Sequence, residues 1–204
     1  AFVSTKDGLV KGLEFLTDLS MLGVGVGFDT EGAYQGFTVV TPPLGYDFVA
    51  YAVEDSREGW GEAMVSVATA FTEGAGLFNI DFSELRKKGA PLKTMGGIAS
   101  GPRPLIDAIL DMVKVFDADI TATYDESDEV IYFSKVEGLS SRRPLTTEVI
   151  SDIMNLGGRC IVSGGLRRSA ELGLFRASDP FPYEAKLDAV KADAWRWAAN
   201  NTVN

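Results

Sequence analysis

The chain has 204 residues, enough for one large domain or for part of a larger protein. Nineteen basic against 29 acidic residues leave a net charge of -10, which gives no general attraction for a nucleic-acid backbone and argues against a polynucleotide substrate, while single nucleotides stay open. With no histidine and one cysteine, Cys160, the chain lacks a Ser-His-Asp triad, a Cys-His pair, an internal disulfide and a cysteine-cluster metal site.

No run of 18 apolar residues or signal-peptide pattern occurs, so no membrane partner is expected, and the single thiol suits a reducing, cytoplasmic compartment. In chain order, leucines at helical spacing predict a helix over 8–22 with Asp7 as its N-cap. A strand with glycine at alternate positions follows over 22–29. Two strands are expected at 37–41 and 48–53, then a helix over 56–71 capped by Ser56, with Glu58 in its first turn. Residues 77–82 read as a short strand and 86–104 as a long loop, a feature that is often functional inside a compact domain. A strongly apolar helix (105–116), a hairpin (120–124 and 130–133) with an acidic tip, and a helix over 146–162 come next. A loop at 163–169, a strand at 170–175 and a closing helix at 184–199 complete the pattern. Helices alternate with strands, which argues for α/β architecture; pattern alone does not separate an open sheet from a barrel.

Three segments carry chemical interest. GVGVGFD (23–29) leaves one strand face bare, so a ligand or another backbone can approach. A dinucleotide fingerprint would need a helix after the glycines, and here the helix comes before them. RKKGAPLKTMGGIASGP (86–102) places Arg86, Lys87, Lys88 and Lys93 beside turn-permitting glycines. Ser100 or Gly101 is a candidate cap for the next helix, and amides there with nearby cations suit an anion. In SGGLRRS (163–169), two glycines free the backbone and two arginines suit a phosphate or a base face; the plainer reading is a glycine helix stop with surface arginines. Cys160 reads as a small core residue, with no chemistry assigned.

Taken in order, AFVS (1–4), GVGVGFDT (23–30), EDSREGW (54–60), GAPLKTMGGIASGP (89–102), DIMN (152–155), GGLRRSAE (164–171) and WAANN (197–201) resemble adenosylcobalamin-dependent, class II ribonucleoside-triphosphate reductases of the monomeric kind. The resemblance implies part of a ten-stranded α/β barrel, with residues 1–30 as early barrel elements. Residues 31–80 would be an insertion replacing a dimer partner at the effector site, and 81–204 would carry effector and specificity loops and further barrel elements. It implies reduction of ribonucleoside triphosphates by thiyl-radical chemistry, with adenosylcobalamin as cofactor, a deoxyribonucleoside triphosphate as effector and a thioredoxin-like reductant.

By the same resemblance, Gly23 matches a glycine lying against the substrate ribose. Asp7, Arg86 and Lys93 match effector-binding positions, and Ser163, Gly164, Gly165, Leu166, Arg167, Arg168, Ser169 and Ala170 match the specificity loop. No catalytic residue is assigned. The first reducing cysteine is expected immediately before Ala1, and the radical cysteine, its glutamate partner and the second reducing cysteine beyond Asn204. The alternatives are a non-catalytic nucleotide-binding regulatory module, which would fold and bind nucleotide by itself, and a small-molecule dehydrogenase using the glycine strand.

Overall fold

The computed structural model describes residues 1–45, 50–92, 97–136, 142–163, 169–185, 194–197 and 199–203. Its elements, in chain order, are β1 (Phe2–Val3), α1 (Leu9–Met21), β2 (Val26–Asp29), β3 (Thr38–Val39), β4 (Ala50–Ala52), α2 (Arg57–Glu73), β5 (Asn79–Asp81), α3 (Arg103–Phe116), β6 (Ile120–Asp125), β7 (Val130–Lys135), β8 (Arg143–Pro144), α4 (Thr147–Val162), β9 (Glu171–Phe175), α5 (Phe181–Glu184) and β10 (Ala199–Val203). Short 3-10 turns occupy Thr5–Asp7, Glu31–Tyr34 and Ala194–Trp197.

One sheet is wholly parallel, in the order β1-β2-β9-β10, with Val26 opposite Glu171 and Glu171 opposite Ala199. Parallel neighbours need long crossovers, and α1 supplies the one from β1 to β2. The second four-stranded sheet runs β4-β5-β7-β6, mixed in direction, and includes the expected hairpin as β6 and β7. β3 pairs with β8, so the strands at 37–41 and 48–53 end up in different sheets. The architecture is mixed α/β, as expected. The four parallel strands form an open sheet in this chain.

The core lies among four helices. α1 packs on α2 and α4, and α3 packs on the same two, closing a ring. Leu13, Leu16, Met64, Val67, Phe71, Ile109, Met112, Phe116, Ile153 and Leu156 are all fully enclosed there. Phe71 stacks on Phe116 with ring centroids 4.8 Å apart. Small residues let the helices approach: a Cβ on Gly157 would stand 3.0 Å from Leu13, and one on Gly61 3.4 Å from Thr17.

Several local expectations change. Asp7 does not cap α1: Gly8 holds that position without a side-chain bond, and Asp7 closes the preceding 3-10 turn, which Ser4 caps. β2 begins only at Val26, because Gly23 turns the chain out of α1 with φ 81. Pro102, not Ser100 or Gly101, stands at the cap of α3, and Ser100 Oγ donates to the Gly101 carbonyl. The closing helix is not formed as expected. Phe181–Glu184 is helical and Ala194–Trp197 is a 3-10 turn, but 199–203 is a strand, held by parallel pairing with β9. Residues 186–193 and 198 of the expected helix lie outside the described residues. Ser56 does cap α2, accepting from Gly59 N at 2.9 Å, and Thr146 caps α4.

Candidate functional site

The glycine turn after α1 meets the start of β9. Gly23 N donates to Ser20 O at 2.9 Å, and the space around its α-carbon is open. Ser169 Oγ donates to Val24 O at 2.8 Å, and Val26 N donates to Ala170 O at 2.9 Å. At the other end of the same loop, Ser163 Oγ donates to Cys160 O at 2.7 Å. Gly23 is thus brought beside Ser169 and Ala170, and the loop is tied at both ends; Gly164, Gly165, Leu166, Arg167 and Arg168 lie outside the described residues. Cys160 is a buried thiol on α4, as expected.

β9 opens with a residue that the sequence reading passed over. Glu171 is 5% exposed, and among the described residues neither carboxyl oxygen has a hydrogen-bond partner. It rests against Gly158 of α4, where a Cβ would stand 1.9 Å from Oε1. Burial pushes its pKa up to about 8. The signal in the sequence is weak: one glutamate at the head of an apolar strand.

Asp7 lies exposed on the first 3-10 turn. Asp29 fastens that turn to the next. Its Oδ1 accepts from Thr5 N at 2.9 Å and from Glu31 N at 3.1 Å, while Gly32 N donates to Thr5 Oγ1 at 3.0 Å. Gly32 is needed there, since a Cβ would stand 2.7 Å from Thr5 O. Glu31 in turn pairs with Arg176 through Nε at 2.7 Å. The guanidinium lies 3.8 Å from the Tyr34 ring centre, and Tyr34 Oη donates to Asp179 Oδ2 at 2.8 Å. The sequence reading did not single out this cluster, because its members are about 145 positions apart.

The cationic loop is a tongue. Gly89 N donates to Ala99 O, Ala99 N to Ala90 O and Leu92 N to Gly97 O, so its two flanks pair. Lys93 lies outside the described residues. Arg86 Nε donates to both Asp55 oxygens, at 3.0 and 2.8 Å, beside the cap of α2. Lys87 pairs with Glu129. No hydrogen bond or ion pair joins Arg86 to Asp7.

A family profile described as "B12-dependent ribonucleotide reductase, insertion domain" matches residues 31–116. Across the entire chain, 35% of residues are identical to an adenosylcobalamin-dependent ribonucleoside-triphosphate reductase of Euglena gracilis, of which the match covers 26%. A protein of the same name from Lacticaseibacillus paracasei is 34% identical over 74% of this chain and 18% of its own length. A solved B12-dependent (class II) ribonucleotide reductase superposes with a TM-score of 0.66 at 28% identity, over 95% of this chain and 28% of that one. The chain belongs to the B12-dependent ribonucleotide reductase family.

It spans about a quarter of the length of the reductases it matches. Within that reductase stretch, the matched insertion runs past residue 80 through the tongue and α3, so it contributes both α2 and α3 to the helix ring.

Proposed function

We propose that this chain is the effector- and substrate-binding part of an adenosylcobalamin-dependent ribonucleoside-triphosphate reductase, which makes 2'-deoxyribonucleoside triphosphates for DNA synthesis. One observation carries the reading: insertion helices α2 and α3 pack as a pair on α1 and α4, the two helices that lead into the glycine turn and into the loop at 163–170. An insertion placed there occupies the face that a second subunit would otherwise cover, which supports a monomer.

In this reading Gly23, bare and exposed, lies against the substrate ribose, and the loop from Ser163 to Ala170 carries information from effector to substrate base. A loop held at both of its ends can couple an effector bound on one side to the fit of a base on the other. Arg86, its Nε already oriented by Asp55, presents its remaining donors to the effector triphosphate, with Lys93 and Asp7 as further contacts. The four parallel strands are part of a ten-stranded barrel. The reductant is thioredoxin-like, and the compartment is cytoplasmic. Among the described residues no helix is long and apolar enough to cross a membrane.

The cofactor in the relatives' names is adenosylcobalamin, whose homolysis starts radical chemistry. Adenosylcobalamin brings the corrin and adenosyl ligands of its own cobalt, so the absence of histidine and the burial of the Cys160 thiol on α4 do not bear on where it sits. No step is assigned to this chain through the cofactor.

The test is triphosphate effector binding to the full-length protein by calorimetry. Arg86→Ala is expected to weaken it about 10- to 100-fold, the worth of a charge-assisted contact. Equal affinity in both proteins would reject the effector assignment.

A further inference from the structure

We infer that Glu171 is a positioning residue whose uncharged carboxyl, seated in the Gly158 notch of α4, locks the start of β9 and with it the end of the loop at 163–170; loss of its proton releases the lock. The effect on selectivity rests on the proposed reading of that loop.

The argument is geometric. β9 is an inner strand, with Val26 of β2 on one side of Glu171 and Ala199 of β10 on the other. The side chain therefore has no sheet edge to escape over. It turns into the helix layer, where only a glycine at position 158 leaves it room. The residue just before it, Ala170, is bonded to Val26, and Ser169 to Val24, so the seat of Glu171 fixes where the loop rejoins the sheet.

Among the described residues no neighbouring charge answers the carboxyl. On α4, Arg159 is paired with Asp111, while Glu148 and Asp152 are paired with Arg196. On β2, Asp29 is occupied by the Thr5 and Glu31 amides. Just past the end of β9, Arg176 is taken by Glu31. On α1, Glu14 and Asp18 are exposed, and β10 carries no charged residue. Burial alone acts on Glu171, raising its pKa to about 8, so near neutrality it keeps its proton. As an anion it would be a buried charge without a partner, a state that proteins relieve by opening.

The test uses the full-length protein. Hydrogen–deuterium exchange of the peptide covering residues 158–175 is followed from pH 6 to 9, corrected for the intrinsic pH dependence of amide exchange. Wild type is expected to lose protection about tenfold as pH passes through 8. Glu171→Gln, neutral and nearly isosteric, is expected to keep its protection throughout, and Gly158→Ala, which fills the notch, to be poorly protected at every pH. Glu171→Met carries the same expectation as Gln and serves if Gln does not fold. Superimposable profiles for wild type and Glu171→Gln overturn the inference.

In a second arm, effector-dependent preference among the four ribonucleoside triphosphates is expected to fade above pH 8 in wild type and to stay level in Glu171→Gln. Equal fading in both proteins also overturns the inference. A wild type whose preference ignores the effector at every pH sinks the loop reading instead, and the exchange arm still decides the lock.

Discussion

Asp152 is buried like Glu171, but it has company. Arg196 donates to it through Nε at 2.8 Å and through a terminal nitrogen at 2.7 Å, and the same guanidinium reaches Glu148 at 2.6 Å. Burial raises the Asp152 pKa while the Arg196 bonds oppose the rise; Arg196 is itself pushed up by its bonds to Asp152. The two-pronged geometry keeps both groups charged. Arg196→Met strands a buried carboxylate and is expected to cost about 3 kcal/mol in denaturant unfolding, with most of the loss recovered by adding Asp152→Asn. Glu171 has no such partner, and its linkage to pH has the opposite sign from that of a salt-bridged acid. Its folded pKa, about 8, lies above the ordinary 4.5. Stability is therefore fully present below pH 4.5 and is lost as pH rises towards 8. A span of that size corresponds to about 4–5 kcal/mol. Denaturant midpoints measured across that window should fall in wild type relative to Glu171→Gln; parallel curves would show that the carboxyl does not titrate as a buried group.

At the level of elements, α2, α4 and the β6–β7 hairpin were legible because each carries its own instructions. Ser56 and Thr146 are capping residues just ahead of apolar periodicity, and the acidic tip at 125–129 marks a reversal between two short strands. The end of the chain was not legible. The helix expected over 184–199 gives way to a 3-10 turn at Ala194–Trp197, and 199–203, where no element was expected beyond Ala199, is extended because β9 offers a row of backbone partners. Glu171 escaped notice for a related reason: its meaning comes from Gly158 on another element, which no local window contains. Asp7 has the residue type of a cap, but Gly8 intervenes and turns the chain with φ 118. The entry to α2 makes a sharp test of such fits. Gly59 accepts no side chain, since a Cβ would stand 2.4 Å from the Glu54 carbonyl oxygen, which belongs to backbone. Gly59→Ala is expected to destabilise by about 2 kcal/mol or more, against about 1 kcal/mol for Ser56→Ala, by thermal unfolding. An alanine at 59 that leaves the midpoint unchanged would mean that the Glu54 turn moves freely.

For the whole molecule, the apolar surface is uneven. Phe2, Val24 and Leu172 are 50%, 36% and 39% exposed, and all three belong to the parallel sheet or to the turn leading into it. Helices cover the opposite face. The 204-residue chain alone is therefore expected to bind a hydrophobic dye and to self-associate by light scattering, whereas full-length protein should do neither; a monodisperse, dye-silent chain would contradict this. Strand order has a further consequence. β2 and β9 are adjacent, so residues 30–170 leave the sheet and return to the neighbouring position. Surface loops on that excursion can lengthen or shrink while the two strands it departs from and rejoins keep their register, but α4 is held in place because its Gly158 seats Glu171. A regulatory attachment grafted there would report to the loop at its return point, Ser169 and Ala170, without any change in the scaffold that holds it.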